Sequence, residues 1–179
     1  MKAINITGKH NIDKLNEIGN ESYQAVRRHM ANFDEILYDT MQQLSLLREI
    51  RSTNTNEMNN EENQEIKSLL KSELTHKIQG YKGQDVKKEL HNETTLIKLD
   101  EVIAKLCASQ LTCFYCNKSV LVLYKNVREP LQWTLDRLDN ALSHTKENTC
   151  IACLKCNLQR RIMSTEKFTF TKRLKINKL

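Results

Sequence analysis

The sequence is poor in the residues that turn a chain: of 179 residues, four are glycine and one is proline. Sandwiches and barrels of many short strands need a turn about every 8–12 residues, so a turn-rich all-β architecture is excluded. Aromatic residues are scarce at 6%, and the apolar fraction of 39% supplies only a modest core. No stretch approaches the roughly 18 consecutive apolar residues of a membrane-spanning helix, which argues against a membrane partner. Met1 to His10 carries no apolar segment and no small-residue cleavage site, so a reducing intracellular location (cytoplasm or nucleus) is expected rather than secretion. What remains is a largely helical chain, long enough for one or two small domains.

Charge is unevenly spread. Positions 1–100 are net −2, positions 101–157 net +2, and positions 158–179 net +6, so the last segment equals the whole formal excess of +6. A cationic end beside a compact module suits a polyphosphate partner, because each phosphate neutralised releases condensed counterions. A solvated basic terminus accounts for the charge equally well.

The first half reads as helices. Ile12, Leu15, Ile18, Val26 and Met30 fall near helical spacing, interrupted by Gly19. Phe33, Ile36, Leu37, Met41, Leu44, Leu47 and Ile50 make one apolar stripe, with Asn32 placed to cap it and Glu35 in the capping-box position. Ser52 to Asn63 is polar and reads as a linker. A further helix over Ile66, Leu69, Leu70, Leu74 and Ile78 is expected to stop at Gly80. These stripes serve either a core or a seam with another helix, so residues 1–94 are read as a helical region for interaction or dimerisation. His10, His29, His76 and His91 have no metal-ligand partners in sequence.

From Thr95 an amphipathic helix (Leu96, Leu99, Val102, Ile103, Leu106) leads into a different pattern. Ser119–Lys125 is β-branched and apolar and predicts a strand, Gln132–Asp136 a second, Thr149–Ala152 a third. Cys153–Ser164 predicts a helix with Leu154, Leu158 and Ile162 on one face. Residues 95–179 are therefore a mixed module with a basic tail, and the fold class is α+β.

Cys113 and Cys116 form C-x2-C, and Cys153 and Cys156 form a second such pair 36 residues on. Paired knuckles bring four thiolates to a tetrahedral Zn²⁺ at about 2.3 Å each. An all-thiolate set leaves no open position for water, so such a zinc is structural, and its binding is coupled to folding. Cys150 is a second-ranked ligand, more simply a strand residue; Cys107 packs in the preceding helix.

Between the knuckles lie Asp136, Arg137, Asp139, Asn140, His144 and Asn148, and Asn157 follows the last cysteine directly. Carboxylate and amide oxygens suit Mg²⁺ or Mn²⁺, which stabilise a phosphodiester transition state and its leaving oxygen, while a nearby His or Asp activates water. Taken singly, these residues also fit an Asx turn and a surface ion pair.

The combined pattern CFYC, WTLDRLDN, SHT, EN and CLKCN resembles the HNH family of endonucleases, in its zinc-knuckle branch that includes phage recombination endonuclease VII, over residues 107 to 163. The stretch Gly80–Lys88 and the helix into CFYC are also similar to HNH-type proteins of large DNA viruses. The resemblance implies a ββα-metal fold, with the helix at the DNA minor groove. It implies that Asp136 and Asn157 hold a catalytic Mg²⁺ or Mn²⁺, that Cys113, Cys116, Cys153 and Cys156 hold structural zinc, and that Asn148 braces the loop between the strands. In much of the family the residue after the metal-binding aspartate is the general-base histidine. Here it is Arg137, which cannot accept a proton at neutral pH. His144 is then the first candidate base, Asp139 the second, and Arg137 a clamp for the scissile phosphate. Arg160, Arg161, Lys167, Lys172, Arg173 and Lys175 are expected to grip DNA through phosphates. Phe168 and Phe170, alternating with threonine, suggest a short strand. The expected activity is metal-dependent hydrolysis of DNA phosphodiesters; the rival is a zinc-stabilised nucleic-acid-binding module without catalysis.

Overall fold

A computed structural model describes residues 7–9, 11–12, 25–27, 30, 34–52 and 61–174, with 61 and 62 by backbone alone. Leu15 and Ile18 of the first apolar pattern, Asn32, Phe33, most of the polar linker and Lys175 lie outside these residues. A single 3-10 turn at Glu35–Tyr38 leads into α1 (Thr40–Arg51), followed by α2 (Glu61–Lys87), α3 (Leu99–Ala108), β1 (Trp133–Arg137), β2 (Thr149–Cys153), α4 (Leu154–Arg160) and α5 (Thr165–Arg173). The class is α+β, with one two-stranded sheet among the described residues. No described helix is long and apolar enough to cross a membrane.

α1 starts at Asp39, whose side chain accepts from the Gln42 N–H at 2.9 Å, rather than at Asn32. Its inner face is Gln43, Leu44, Leu46 and Leu47, while Ile36 and Met41 of the expected stripe are exposed. Glu35, expected in a capping box, pairs instead with Lys125 at 2.8 Å. α2 does not stop at Gly80. Leu70, Leu74, Ile78, Tyr81 and Asp85 recur every three or four residues and are all buried, so the packed face continues for two more turns. Gly80 and Gly83 lie where an added Cβ would meet nothing within 4 Å. The roughly 1 kcal/mol that each costs relative to alanine is small beside the burial of that face.

One apolar cluster runs through α1, α2, α3, the knuckle segment and both strands, from Leu44 and Leu74 to Leu106, Val122, Trp133 and Ile151. The segment Ser119–Lys125 enters this cluster without being a strand. Its backbone pairs in turn with Leu111, with Leu131 and Trp133, and with Arg27, none for long enough to make a ladder. Gln43 supplies what is missing. Fully buried, its Oε1 accepts from Val122 N (2.8 Å) and Leu123 N (3.1 Å), and its Nε2 donates to Leu123 O and Leu37 O, both at 2.9 Å. A single amide thus replaces a neighbouring strand. Gln43→Leu is expected to destabilise the protein by roughly 3 kcal/mol or more, because each buried backbone group left without a partner costs about 1–3 kcal/mol. Urea unfolding measures this; a loss within about 0.5 kcal/mol would show that the segment does not depend on Gln43.

β1 and β2 pair antiparallel with Asp136 opposite Cys150 and Trp133 opposite Cys153. The outer edge of β1 is closed rather than left open: Trp133 N donates to Leu121 O, and Leu135 N to the Tyr81 hydroxyl, both at 2.9 Å. α4 ends at Arg160, since Arg161 adopts a left-handed φ of 52°. The expected helix therefore stops four residues short of Ser164, and Leu158 and Ile162 are exposed instead of forming a face of the core. Phe168 and Phe170 are helical, not extended. Ser164 caps α5 by accepting from Lys167 N, Phe168 packs edge-on against Tyr115 at 5.0 Å, and Phe170 faces solvent.

Candidate functional site

The knuckles are brought together by the sheet. Cys113–Asn117 is a tight turn closed by Asn117 N to Cys113 O at 3.0 Å, with Asn117 at φ 56°, a conformation asparagine tolerates. Phe114 N donates to Ile151 O at 2.8 Å and fixes this turn to β2. The second knuckle caps α4, with Cys153 Sγ accepting from Cys156 N at 3.4 Å. The sulfurs of Cys113, Cys116, Cys153 and Cys156 lie within 4.8 Å of one another, and Cys153 N donates to Cys113 Sγ at 3.3 Å. Hydrogen bonding from Cys153 holds the Cys113 thiol far below its ordinary value. This cluster can hold a metal ion, and four convergent thiolates suit zinc. Cys150 stands outside it. Burial pushes its thiol up to about 12, and its sulfur lies 3.8 Å from the Tyr115 hydroxyl. Cys107 is buried in α3.

A second site opens between α2, β1 and α4 as a cleft of about 680 Å³. Of the candidates between the knuckles, Asp136, Arg137, His144 and Asn157 all line it, as do Lys88, Arg161 and His76. Asp139 does not. It is exposed, and its carboxylate accepts from Ala141 N at 2.8 Å as an Asx turn. Asn148 braces the loop: its Oδ1 accepts from Asp139 N, and its Nδ2 donates to Asp139 O and Ser143 O, all within 3.0 Å.

His144 is the most constrained of these side chains. Its Nδ1 lies 2.7 Å from Asp85 Oδ1, and its backbone N donates to Asp85 Oδ2 at 2.8 Å. Its carbonyl accepts from Ile97 N at 2.9 Å, and its ring stacks on Tyr81 at 4.8 Å. That leaves Nε2 without a partner among the described residues, on a ring that lines the cleft. Burial lowers the imidazole below its ordinary pKa, offset by Asp85 and reinforced by the positive charge of Arg137 and Lys88. Arg137, expected to clamp a phosphate, is instead buried. Its guanidinium donates to Leu142 O at 3.0 Å and lies 3.8 Å from Asp85. Asp85 lies in the Gly80–Lys88 stretch of the family resemblance, which gives this residue no role. Its own signal is its place in the helical stripe of Leu74, Ile78 and Tyr81, where a carboxylate interrupts an apolar face.

Asp136 and Arg160 form the other fixed pair. Arg160 Nε reaches Asp136 Oδ2 at 2.6 Å and Nη2 reaches Oδ1 at 2.9 Å; Tyr115 also donates to Oδ2, at 2.6 Å. Nη2 also lies 2.7 Å from Arg137 O and 2.8 Å from Asn140 Oδ1, which share its second hydrogen, and Nη1 donates to Met163 O at 2.8 Å. Arg160 is 2% exposed, so it is not part of a phosphate-binding surface. Asn157 Nδ2 donates to Thr134 Oγ1 at 3.1 Å. As arranged, Asp136 and Asn157 do not fit Mg²⁺ or Mn²⁺. The carboxylate is already neutralised by a buried guanidinium, and one amide oxygen is a poor set for a cation that takes carboxylates. Arg161, Lys167 and Arg173 are at the surface. Lys172 is half-buried against Gln159 and the Phe168 ring.

Lys77 borders the same cleft. Burial, then the Arg27 charge, lowers its ammonium to about 7 against the pull of Glu73. It donates to Gln132 Oε1 at 2.9 Å and Trp133 O at 2.5 Å, which ties α2 to β1.

The chain matches no family model, no curated protein and no solved structure.

Proposed function

We propose that this chain is a zinc-stabilised nuclease of the HNH type, acting on phosphodiester bonds of DNA, with His144 as the base that activates water. The observation that supports this most is the placement of His144: held by its backbone, by Nδ1 and by its ring face, it lines a cation-rich cleft with Nε2 left unpaired among the described residues. Water gives its proton to Nε2 and its oxygen attacks phosphorus; the P–O3′ bond breaks and the departing oxygen is protonated from solvent. Arg161 and Lys88 at the cleft meet the phosphate charge. Cys113, Cys116, Cys153 and Cys156 hold the zinc that joins the strands to the helix. The dependence on Mg²⁺ or Mn²⁺ that the family resemblance implies is part of this proposal only in a form in which Arg160 has released Asp136.

One observation favours the rival reading, a zinc-bearing module that binds nucleic acid without cutting it: the Arg160–Asp136 pair removes the carboxylate that the HNH pattern would offer to an ion. A plasmid-nicking assay with Mg²⁺, with Mn²⁺ and with EDTA, repeated on RNA, separates the two. Nicking that falls by about 10²–10⁴ in His144→Ala, as expected for removal of a positioned base, supports the nuclease. Binding without cleavage in every condition supports the rival.

A further inference from the structure

His144 stands seven residues beyond Arg137, the position where the HNH pattern puts its base, and a displaced base needs its own means of orientation. Asp85 is completely buried, yet both its carboxylate oxygens are directed at one residue, Oδ2 at the backbone N–H of His144 and Oδ1 at its ring Nδ1. Burying a carboxylate in an otherwise apolar helix face is costly unless it is neutralised and hydrogen-bonded. The compensation comes from the two His144 donors and from the Arg137 guanidinium at 3.8 Å. An ionised carboxylate only accepts hydrogen bonds, so the ring nitrogen facing it must carry the proton, and in a neutral imidazole the other nitrogen then carries the lone pair. Stacking on Tyr81 sets the plane of the ring, the Ile97 N–H on the carbonyl holds the backbone that carries it, and the Nδ1 contact with Asp85 sets which edge faces inward.

We propose that Asp85 is the positioning residue of this site, fixing His144 in the tautomer protonated at Nδ1 so that Nε2 faces the cleft as a proton acceptor, and that Arg137 serves as the counter-charge that lets Asp85 remain ionised. The catalytic meaning of this arrangement rests on the reading of His144 as a base; the tautomer itself does not. Arg137 thus keeps the place of the usual base while holding up its replacement. The charged and titratable groups facing the ring are Asp85 and Tyr81 from α2, Lys88 from the turn that follows it, and Arg137 from β1. Only Asp85 among them favours the imidazolium.

The test is ¹⁵N NMR of the histidine rings in the full, zinc-loaded chain without nucleic acid, with His144 assigned by its loss in His144→Gln. The native ring is expected to show the Nδ1–H tautomer at neutral pH; an Nε2–H tautomer there overturns the proposal whatever any variant does. In Asp85→Asn the ring is expected to lose this single tautomer and to protonate at lower pH, because its one favourable partner for the imidazolium is gone. Where cleavage is measured, kcat of Asp85→Asn should fall by about 10²–10⁴ with little change in KM, and the acid limb of its pH profile should move down. An Asp85→Asn ring with unchanged tautomer and titration overturns the proposal. A native chain that never cleaves but shows the Nδ1–H tautomer retains the positioning and removes the nuclease reading alone.

Discussion

A Cys153→Ser chain is expected to be isolated without its metal ion and to lose cooperative unfolding across the strands and α4. Cys153 belongs to three parts at once: it ends β2, caps α4, and places its sulfur among the other three. Structural zinc contributes about 10–16 kcal/mol of binding free energy to small knuckle domains at neutral pH, far more than a chain of this size retains as net stability. With one sulfur removed, most of that coupling is lost. The control is Cys150→Ser, three strand positions away with its sulfur beside Tyr115 rather than in the cluster, which should keep one metal ion per chain. Elemental analysis and thermal unfolding read both. A Cys153→Ser chain that melts like the native protein, or a native chain indifferent to chelator, would mean that the thiols do not hold a structural ion.

Arg160→Ala is expected to cost about 3–5 kcal/mol, the range for removing one partner of a buried ion pair. The loss comes less from the missing attraction than from what stays behind: a carboxylate at 5% exposure with only the Tyr115 hydroxyl for company, and the Arg137, Asn140 and Met163 oxygens without donors. Arg160→Lys restores the charge but not the planar fork that serves four acceptor groups, so it should recover only part of the loss. Denaturant unfolding of the two variants measures this. If Arg160→Ala fell within about 0.5 kcal/mol of the native protein, the pair would be a surface-like contact and Asp136 would be open to a cation after all.

The strands and knuckles were legible because their determinants are local. WTLDR and TCIAC are short segments with Trp, Thr and Ile among their residues, and each C-x2-C sets its own turn. The rest depended on distant partners. Ser119–Lys125 has the composition of a strand, but its donors are satisfied by Gln43, 80 residues earlier at Leu123, and no local pattern shows that. Gly80 carries the mark of a helix end, yet tertiary burial of Tyr81 and Asp85 overrides a propensity deficit of about 1 kcal/mol. Phe168 and Phe170 alternate as in a strand, but the Ser164 cap and the Phe168–Tyr115 contact set the helical period. At the site, the sequence brings Asp136, Arg137, His144 and Asn157 into one cleft, as their spacing suggested. It does not show that Arg160 already occupies Asp136, since which of two adjacent arginines turns inward is settled by the left-handed residue that ends α4.

The contact between Asp85 and His144 spans 59 residues, longer than the 40 between the knuckle cysteines Cys113 and Cys153. Closing the larger loop requires α2 to have docked along β1, whereas gathering the sulfurs requires only the sheet and its two turns. A nascent or partly opened chain can therefore gather its four sulfurs while its imidazole still swings loose. The geometry of the cleft reports the assembly of the whole molecule, whereas the sulfur cluster reports only the sheet and its turns.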